Sequence, residues 1–316
     1  MSGTKSPTTA LLTLAALVLM VVAYFTPIWR VSLTSPQYRE ESFPGGLRVH
    51  VRFNGVFNGC EGKVIKNSEV FQGELGGENE AVLRRQVNEH QGLDCLHEMN
   101  VINHYVGMYP MQMGAPVERA LSPYLFGFLA VMLLAFVAET RRTQLIVLAV
   151  GFAGVLAWML GEMLFMGRLE QYLANFHEIN APLYVHDRNA VVRWVDTLRW
   201  VIPAAMAGLA VLMLGVLAGV WKSRTFTLVL ALVPALLPIF FLADYAGWNW
   251  FFGHTMSPLR AFPIKPFTPT VFGEGKVAQF STYSYPLYGF GLLALVTLLL
   301  LPAVALRRKA LRAEPA

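Results

Sequence analysis

The stretch Ala10–Ile28, ALLTLAALVLMVVAYFTPI, contains no charged residue and is built mostly from Leu, Val and Ala. A bilayer core about 30 Å thick needs roughly 20 apolar residues per helix, so this segment predicts a membrane-spanning helix. Five more stretches have the same character: Leu121–Val137, Leu145–Met166, Trp200–Trp221, Thr225–Ala243 and Tyr285–Leu306. Composition agrees with them. Of 316 residues, 55% are hydrophobic and only 14% charged, with a mean hydropathy of +0.48. An average soluble chain is about 25% charged, so a soluble domain, a disordered chain and a small disulfide scaffold are all excluded. The net charge of +5 sits in short patches beside apolar runs, where membrane topology accounts for it without a nucleic-acid partner. The expected fold is an all-α polytopic membrane protein. It is a six-helix transmembrane bundle with a small mixed α/β extracytoplasmic insertion between the first two spans.

Orientation follows from Lys and Arg near the span ends. With the N-terminus inside, the cytoplasmic segments carry Lys5, then Arg141 and Arg142, then Lys222 and Arg224, then Arg307, Arg308, Lys309 and Arg312. The opposite side receives three longer loops, 29–120, 167–199 and 244–284. In the first of these, nine Lys/Arg are offset by eleven Asp/Glu. The chain therefore divides into a tail and first helix (1–28), a loop domain (29–120) and a five-helix region (121–316). Both termini are expected in the cytoplasm, with the chain multi-pass in a bacterial inner membrane. Lys5 before an apolar run also fits a secretory signal. The run ends in Tyr24-Phe25-Thr26-Pro27, however, without the small-x-small pattern of a cleavage site, so an uncleaved anchor is expected.

This topology puts all seven histidines, His50, His90, His97, His104, His177, His186 and His254, on the outer side. Cys60 and Cys95 lie there too, and in an oxidising periplasm the default is a disulfide between them; a copper-thiolate role is the alternative. Within the first loop, Arg48-Val49-His50-Val51-Arg52-Phe53 alternates as a half-buried strand does. Asn54-Gly55 and Asn58-Gly59 mark turns around it. Glu78–Gln91 reads as a polar amphipathic helix and Asp94–Tyr105 as a second helix.

The most chemically loaded segment is His97–Met113, HEMNVINHYVGMYPMQM. Imidazole and thioether together suit Cu(I), because thioether is a soft donor and hard cations prefer oxygen. His104 and Met108 are four apart and share a face if the segment is helical. Gly107 and Pro110 suggest that the helix stops there, so that Met111 and Met113 can fold back as further donors. The plainer account is that these methionines pack a membrane-proximal core. The last outer loop offers His254 and Met256 after an aromatic run that fits an interfacial belt. Inside the third span, Glu162 borders a face made by Met159, Met163 and Met166. An ionisable group in a span is a functional candidate, either as part of an intramembrane relay or as a carboxylate paired with Arg168 or a neighbouring helix. No P-loop, haem-attachment motif, Gly-x-Ser-x-Gly or His-Glu-x-x-His is present.

Several pieces together resemble a known group: Trp29 with Pro36-Gln37-Tyr38; Pro44-Gly45-Gly46-Leu47; Ile102-Asn103-His104-Tyr105-Val106-Gly107-Met108; Gly253-His254-Thr255-Met256-Ser257-Pro258; and Ser284, Pro286 and Gly289. The chain resembles the polytopic membrane proteins encoded beside nitrous oxide reductase and its copper-maturation genes. That group carries Gly-His-Asn-Leu-Asp-Pro where this chain has Thr255, Met256 and Ser257. It also has a shorter loop than the Cys-containing insert between Gly46 and Ile102. The resemblance implies a role near copper and respiratory enzymes. The leading expectation is a non-catalytic membrane protein that binds copper at its outer face through His104, Met108, Met111, Met113, His254 and Met256. Its partners are the lipid bilayer and a periplasmic or membrane copper enzyme or maturation factor. The competing readings are a copper-ion or proton transporter working through Glu162, a subunit of a membrane copper oxidase, monooxygenase or quinol-oxidising complex, and a metal-free scaffold.

Overall fold

The computed structural model describes residues 7–38, 40, 43–60, 94–181, 188–258, 260–261, 264–277 and 279–313. The chain is mostly helical, with a small antiparallel sheet at one end. Among the described residues, five helices are long and apolar enough to cross a membrane. They are α1 (Pro7–Phe25), the helix starting near Met111 and containing α3 (Pro116–Val137), α4 (Arg141–Leu160) with its following π turn, α6 (Arg188–Lys222), which the shorter α5 (Arg168–Asn180) precedes, and α9 (Tyr288–Ala313). Most of α3 is buried, whereas the other four present most of their apolar surface outward. Leu11, Val18, Val211, Leu214 and Leu298 are among the exposed side chains. Such outward apolar faces suit lipid and would be unfavourable in water. α3 is thus the helix around which α1, α4, α6 and α7 pack.

The sixth expected span, Thr225–Ala243, is not one straight helix. A 3₁₀ turn (Thr225–Leu228) leads into α7 (Val229–Ala235). The chain then bends by 53° and continues as α8 (Leu237–His254). Pro238 explains the break. It has no N–H to give the Pro234 carbonyl one turn earlier, and its ring crowds that carbonyl. Counting the bent pair as one span brings the number to six. The helix also runs well past Ala243, so the segment expected as an outer loop from residue 244 begins with about three turns of α8.

The first loop does contain the expected strand and second helix, as β2 (Leu47–Arg52) and α2 (Cys95–Val106). Asp94 caps α2 by accepting a 3.0 Å hydrogen bond from His97 N. The expected helix Glu78–Gln91 lies outside the described residues, as do His90 and His186. Cys60 and Cys95 are joined by a disulfide, with Cα atoms 5.9 Å apart. Asn58 Oδ1 accepts from the backbone nitrogens of both cysteines, at 3.0 and 3.3 Å.

One expectation needs correcting. The sheet is not a self-contained insertion between the first two spans. Its strand order is β3-β2-β1-β5-β4, where β1 is Trp29–Thr34, β3 Gly55–Asn58, β4 Gly273–Val277 and β5 Phe280–Pro286. The last outer loop therefore supplies two of the five strands among the described residues. β1 follows α1 at once and β5 runs directly into α9, and α1 packs along α9. Two antiparallel helices side by side bring the strands at their ends into pairing distance, and Val31 lies opposite both Val49 and Ser284. The buried Trp29 donates from Nε1 to Ser284 Oγ at 2.8 Å, and Gly289 N donates to Pro27 O at 3.1 Å. These contacts bind the two loops into one unit at the sheet end of the bundle.

A second buried pair lies within that unit. Tyr38 donates to Glu98 Oε2 at 3.1 Å. Burial pushes the Glu98 carboxyl above its ordinary value of 4.5, with Tyr38 and His97 opposing the shift only in part. A carboxyl raised in the native state adds stability that is complete below its ordinary value and is lost as pH rises through the native one. Glu98→Gln, which cannot ionise, is expected to be more stable than the wild type at pH 7–8, with the gap closing near pH 4. Thermal unfolding across that range checks this, and parallel curves would refute it.

Candidate functional site

The end of α2 organises the site. Its chain stops at Gly107, whose φ of +82° is the left-handed conformation that favours glycine. The segment then folds back on the helix. Asn100 Oδ1 accepts from Gln112 N and Asn100 Nδ2 donates to Gln112 Oε1, both at 3.3 Å. Met111–Met113 thereby form a 3₁₀ turn against α2, and Arg119 Nη1 donates to Gln112 O at 3.0 Å. The return of the chain after His104 and Met108 is thus a feature of the fold.

The two His/Met stretches meet here. Ser257 N donates to Gly107 O at 2.7 Å and Ala261 N to Tyr105 O at 3.0 Å. A Cβ on Gly107 would lie 2.6 Å from the Arg260 Cβ, so the approach itself requires glycine. The side chains differ in environment. Met108 and Met113 are buried in the core, while Met111 and Met256 are partly buried against it. His104 is half-buried, with its ring 5.8 Å from that of Tyr105. His254 is exposed; its ring stacks on Trp250 at 4.7 Å and its Nδ1 lies 2.7 Å from Trp250 O. A carbonyl can only accept, so Nδ1 is the donor in this hydrogen bond. Among the described residues, no three His, Cys, Asp or Glu side chains are gathered closely enough to hold a metal ion. A metal held here would need thioether ligands.

Glu162 is placed differently from the relay expectation. It lies in a π turn, Gly161–Phe165, closed by Met166 N donating to Gly161 O at 2.9 Å. Its carboxylate is ion-paired with Arg168 and accepts from Tyr124 on α3 at 2.7 Å. Met159 and Met163 are buried, but Met166 is 73% exposed. The wider turn rotates the chain beyond Gly161, so the three methionines do not form one continuous buried face. The pairing with Arg168 and a neighbouring helix is the alternative that the sequence left open.

Between α2, α3, α8 and the sheet lies a cavity of about 370 Å³. Met108 and Met111 line it, whereas His104, Met113, His254 and Met256 do not. Its walls are mostly aromatic and aliphatic, including Phe241, Trp248 and Phe280. The polar groups facing it include Asn103, Glu118, Arg119, Asp244 and Asn249. Glu118, in the first turn of α3, and Asp244, on α8, face each other at the cavity, with Trp248 beside Asp244. Sequence reading singles out neither Glu118 nor Asp244. The available signal was an acid near the outer end of each of two apolar segments, at heights that coincide once the helices run antiparallel.

Comparison with protein-family models, with curated proteins and with solved structures gives no match.

Proposed function

We propose that the protein binds copper at the sheet end of its bundle and supports the maturation or function of a periplasmic or membrane copper enzyme. The observation that supports this is the Ser257 N–Gly107 O hydrogen bond. It sets one His/Met stretch, His104 to Met113, beside another, His254 to Met256, although they are distant in sequence. Imidazole nitrogen and thioether sulfur are a donor set suited to Cu(I). The bond between His254 Nδ1 and the Trp250 carbonyl fixes the ring, the kind of orienting partner that metal-bound histidines have. Orientation follows the same reading. Arg141, near the start of α4, donates to Val220 O near the end of α6. Arg142, Lys222, Arg224, Arg308 and Arg312 belong to that same far end, which the positive-inside bias assigns to the cytoplasm. The sheet end then faces the periplasm.

Loading the purified protein with Cu(I) and challenging it with a chelator tests the proposal. The wild type is expected to retain copper. His104→Ala and Met108→Ala are each expected to weaken retention by roughly tenfold or more, a loss that even removal of a ligand's supporting partner can cause. Equal copper content in all three proteins would overturn the reading.

A further inference from the structure

The cavity beside this junction has a chemistry that copper binding does not use. Its volume of about 370 Å³ falls within the range of small-molecule sites, roughly 300–1,000 Å³. Two of its lining residues, Leu125 on α3 and Phe240 on α8, are also exposed on the flank of the bundle. The cavity can therefore be reached sideways, from the lipid, through a slot between the two helices. Glu118 lies two turns outward from Leu125 and Asp244 one turn outward from Phe240, so the slot changes from apolar to polar along its length. An amphiphile entering from the membrane meets the same order.

The polar end selects among amphiphiles. Glu118 and Asp244 disfavour a phosphate or carboxylate head. The two arginines at the cavity do not offset this, because both are already engaged. Arg119 donates to Gln112 O, and Arg52 donates to Phe25 O at 3.3 Å with its guanidinium 4.8 Å above the Phe57 ring. Asn249 Nδ2 is buried and makes no hydrogen bond of good geometry, although it lies beside the Tyr245 hydroxyl. A buried donor of this kind is costly until a ligand acceptor satisfies it. The head zone thus offers carboxyl acceptors and an unmet amide donor between aromatic walls. That combination fits a flat, neutral ring that carries hydroxyl or carbonyl oxygens.

We propose that this cavity binds the ring of a membrane-borne prenylated quinone or hydroquinone, which enters between α3 and α8. The ring packs among Phe241, Trp248 and Phe280, with a quinone carbonyl accepting from the Asn249 amide or a hydroquinone hydroxyl donating to Asp244, and the chain leaving past Leu125 and Phe240. The inference concerns binding alone and is independent of the copper reading.

Tryptophan emission reports on it, because Trp248 is in the wall and quinones quench indole. The full chain in phosphatidylcholine nanodiscs is titrated with a benzoquinone that bears one isoprene unit. The wild type is expected to show a saturable component, absent from Trp248→Phe, above the linear quenching that lipid partitioning produces. Asp244 can accept only from a hydroxyl, so Asp244→Asn is expected to leave the affinity of the quinone unreduced and to weaken its displacement by the corresponding hydroquinone about tenfold, as loss of a charged hydrogen-bond partner implies. Because the Asn249 Nδ2 makes no good bond whose loss would unfold the protein, Asn249→Ala keeps the test open if Asp244→Asn does not fold, and roughly three- to tenfold weaker binding is expected. Purely linear quenching in the wild type, unchanged quinone affinity in folded Asn249→Ala, or unchanged hydroquinone displacement in folded Asp244→Asn would overturn the proposal. Displacement by phosphatidylglycerol would also overturn it, since the site would then be one for an anionic lipid. Copper retention can fail in its own assay without affecting any of these outcomes.

Discussion

Reduction of the Cys60–Cys95 disulfide is expected to destabilise the sheet end of the protein by about 4 kcal/mol. The bond closes a separation of 35 residues. Loop-closure entropy in the unfolded chain makes a cross-link of that span one of the larger single contributions available to a small unit. It joins the end of β3 to the first turn of α2, the helix that ends at Gly107 and carries His104. Loss of the bond frees that helix, so the effect should reach the site as well as the fold. Thermal unfolding of the purified protein with and without reductant measures it, with the Cys60→Ser/Cys95→Ser double variant as the matched case. A bundle stabilised by lipid-facing helices should keep its helical signal while the sheet end becomes sensitive to protease. An unchanged transition and protease pattern after reduction would show that the disulfide does not hold this unit together.

Gly253→Ala is the second large effect expected, with a loss of about 3 kcal/mol. Gly253 is the penultimate residue of α8, and its carbonyl accepts a 3.2 Å hydrogen bond from Phe267 N. A methyl group there would overlap the Phe267 carbonyl oxygen, with the carbonyl carbon at 2.9 Å and Pro269 Cδ at 3.0 Å. Backbone on one side and a proline ring on the other cannot move aside as the tip of a flexible side chain can. The segment 264–270 must therefore shift, and with it Phe267 and Pro269, which line the cavity. The variant is expected to lower the unfolding temperature and to weaken quinone quenching, while leaving the far end of the bundle intact. Gly247→Ala, on the same helix where a methyl meets nothing within 4 Å, is the control. Equal behaviour of the two variants would contradict the close approach at Gly253.

Apolar run length was enough to place α1, α3, α4, α6 and α9, because one bilayer thickness imposes one helix length whatever the helix packs against. Alternation located β2, and the stop at Gly107 bounded α2, since chain reversal is decided within a few residues. The bend at Leu236 escaped the same reading, because hydropathy is blind to direction and Pro234 and Pro238 sit in an unbroken apolar stretch. The sheet was legible only in part. β1 pairs with β5, where Trp29 hydrogen-bonds Ser284 across 255 residues, and no local pattern encodes a partner that distant.

For the site, the amino acids alone identified the two His/Met stretches by their donor chemistry, and Gly107 as the end of a helix. Only the tertiary structure decided that Gly107 is where those stretches touch, that Met108 and Met111 line a cavity while Met113 is packed in the core, and that Glu118 faces Asp244. The physical reason lies in range. Apolar length, capping and donor type are properties of a few neighbouring residues, whereas a cavity exists only between elements that the whole fold has brought together.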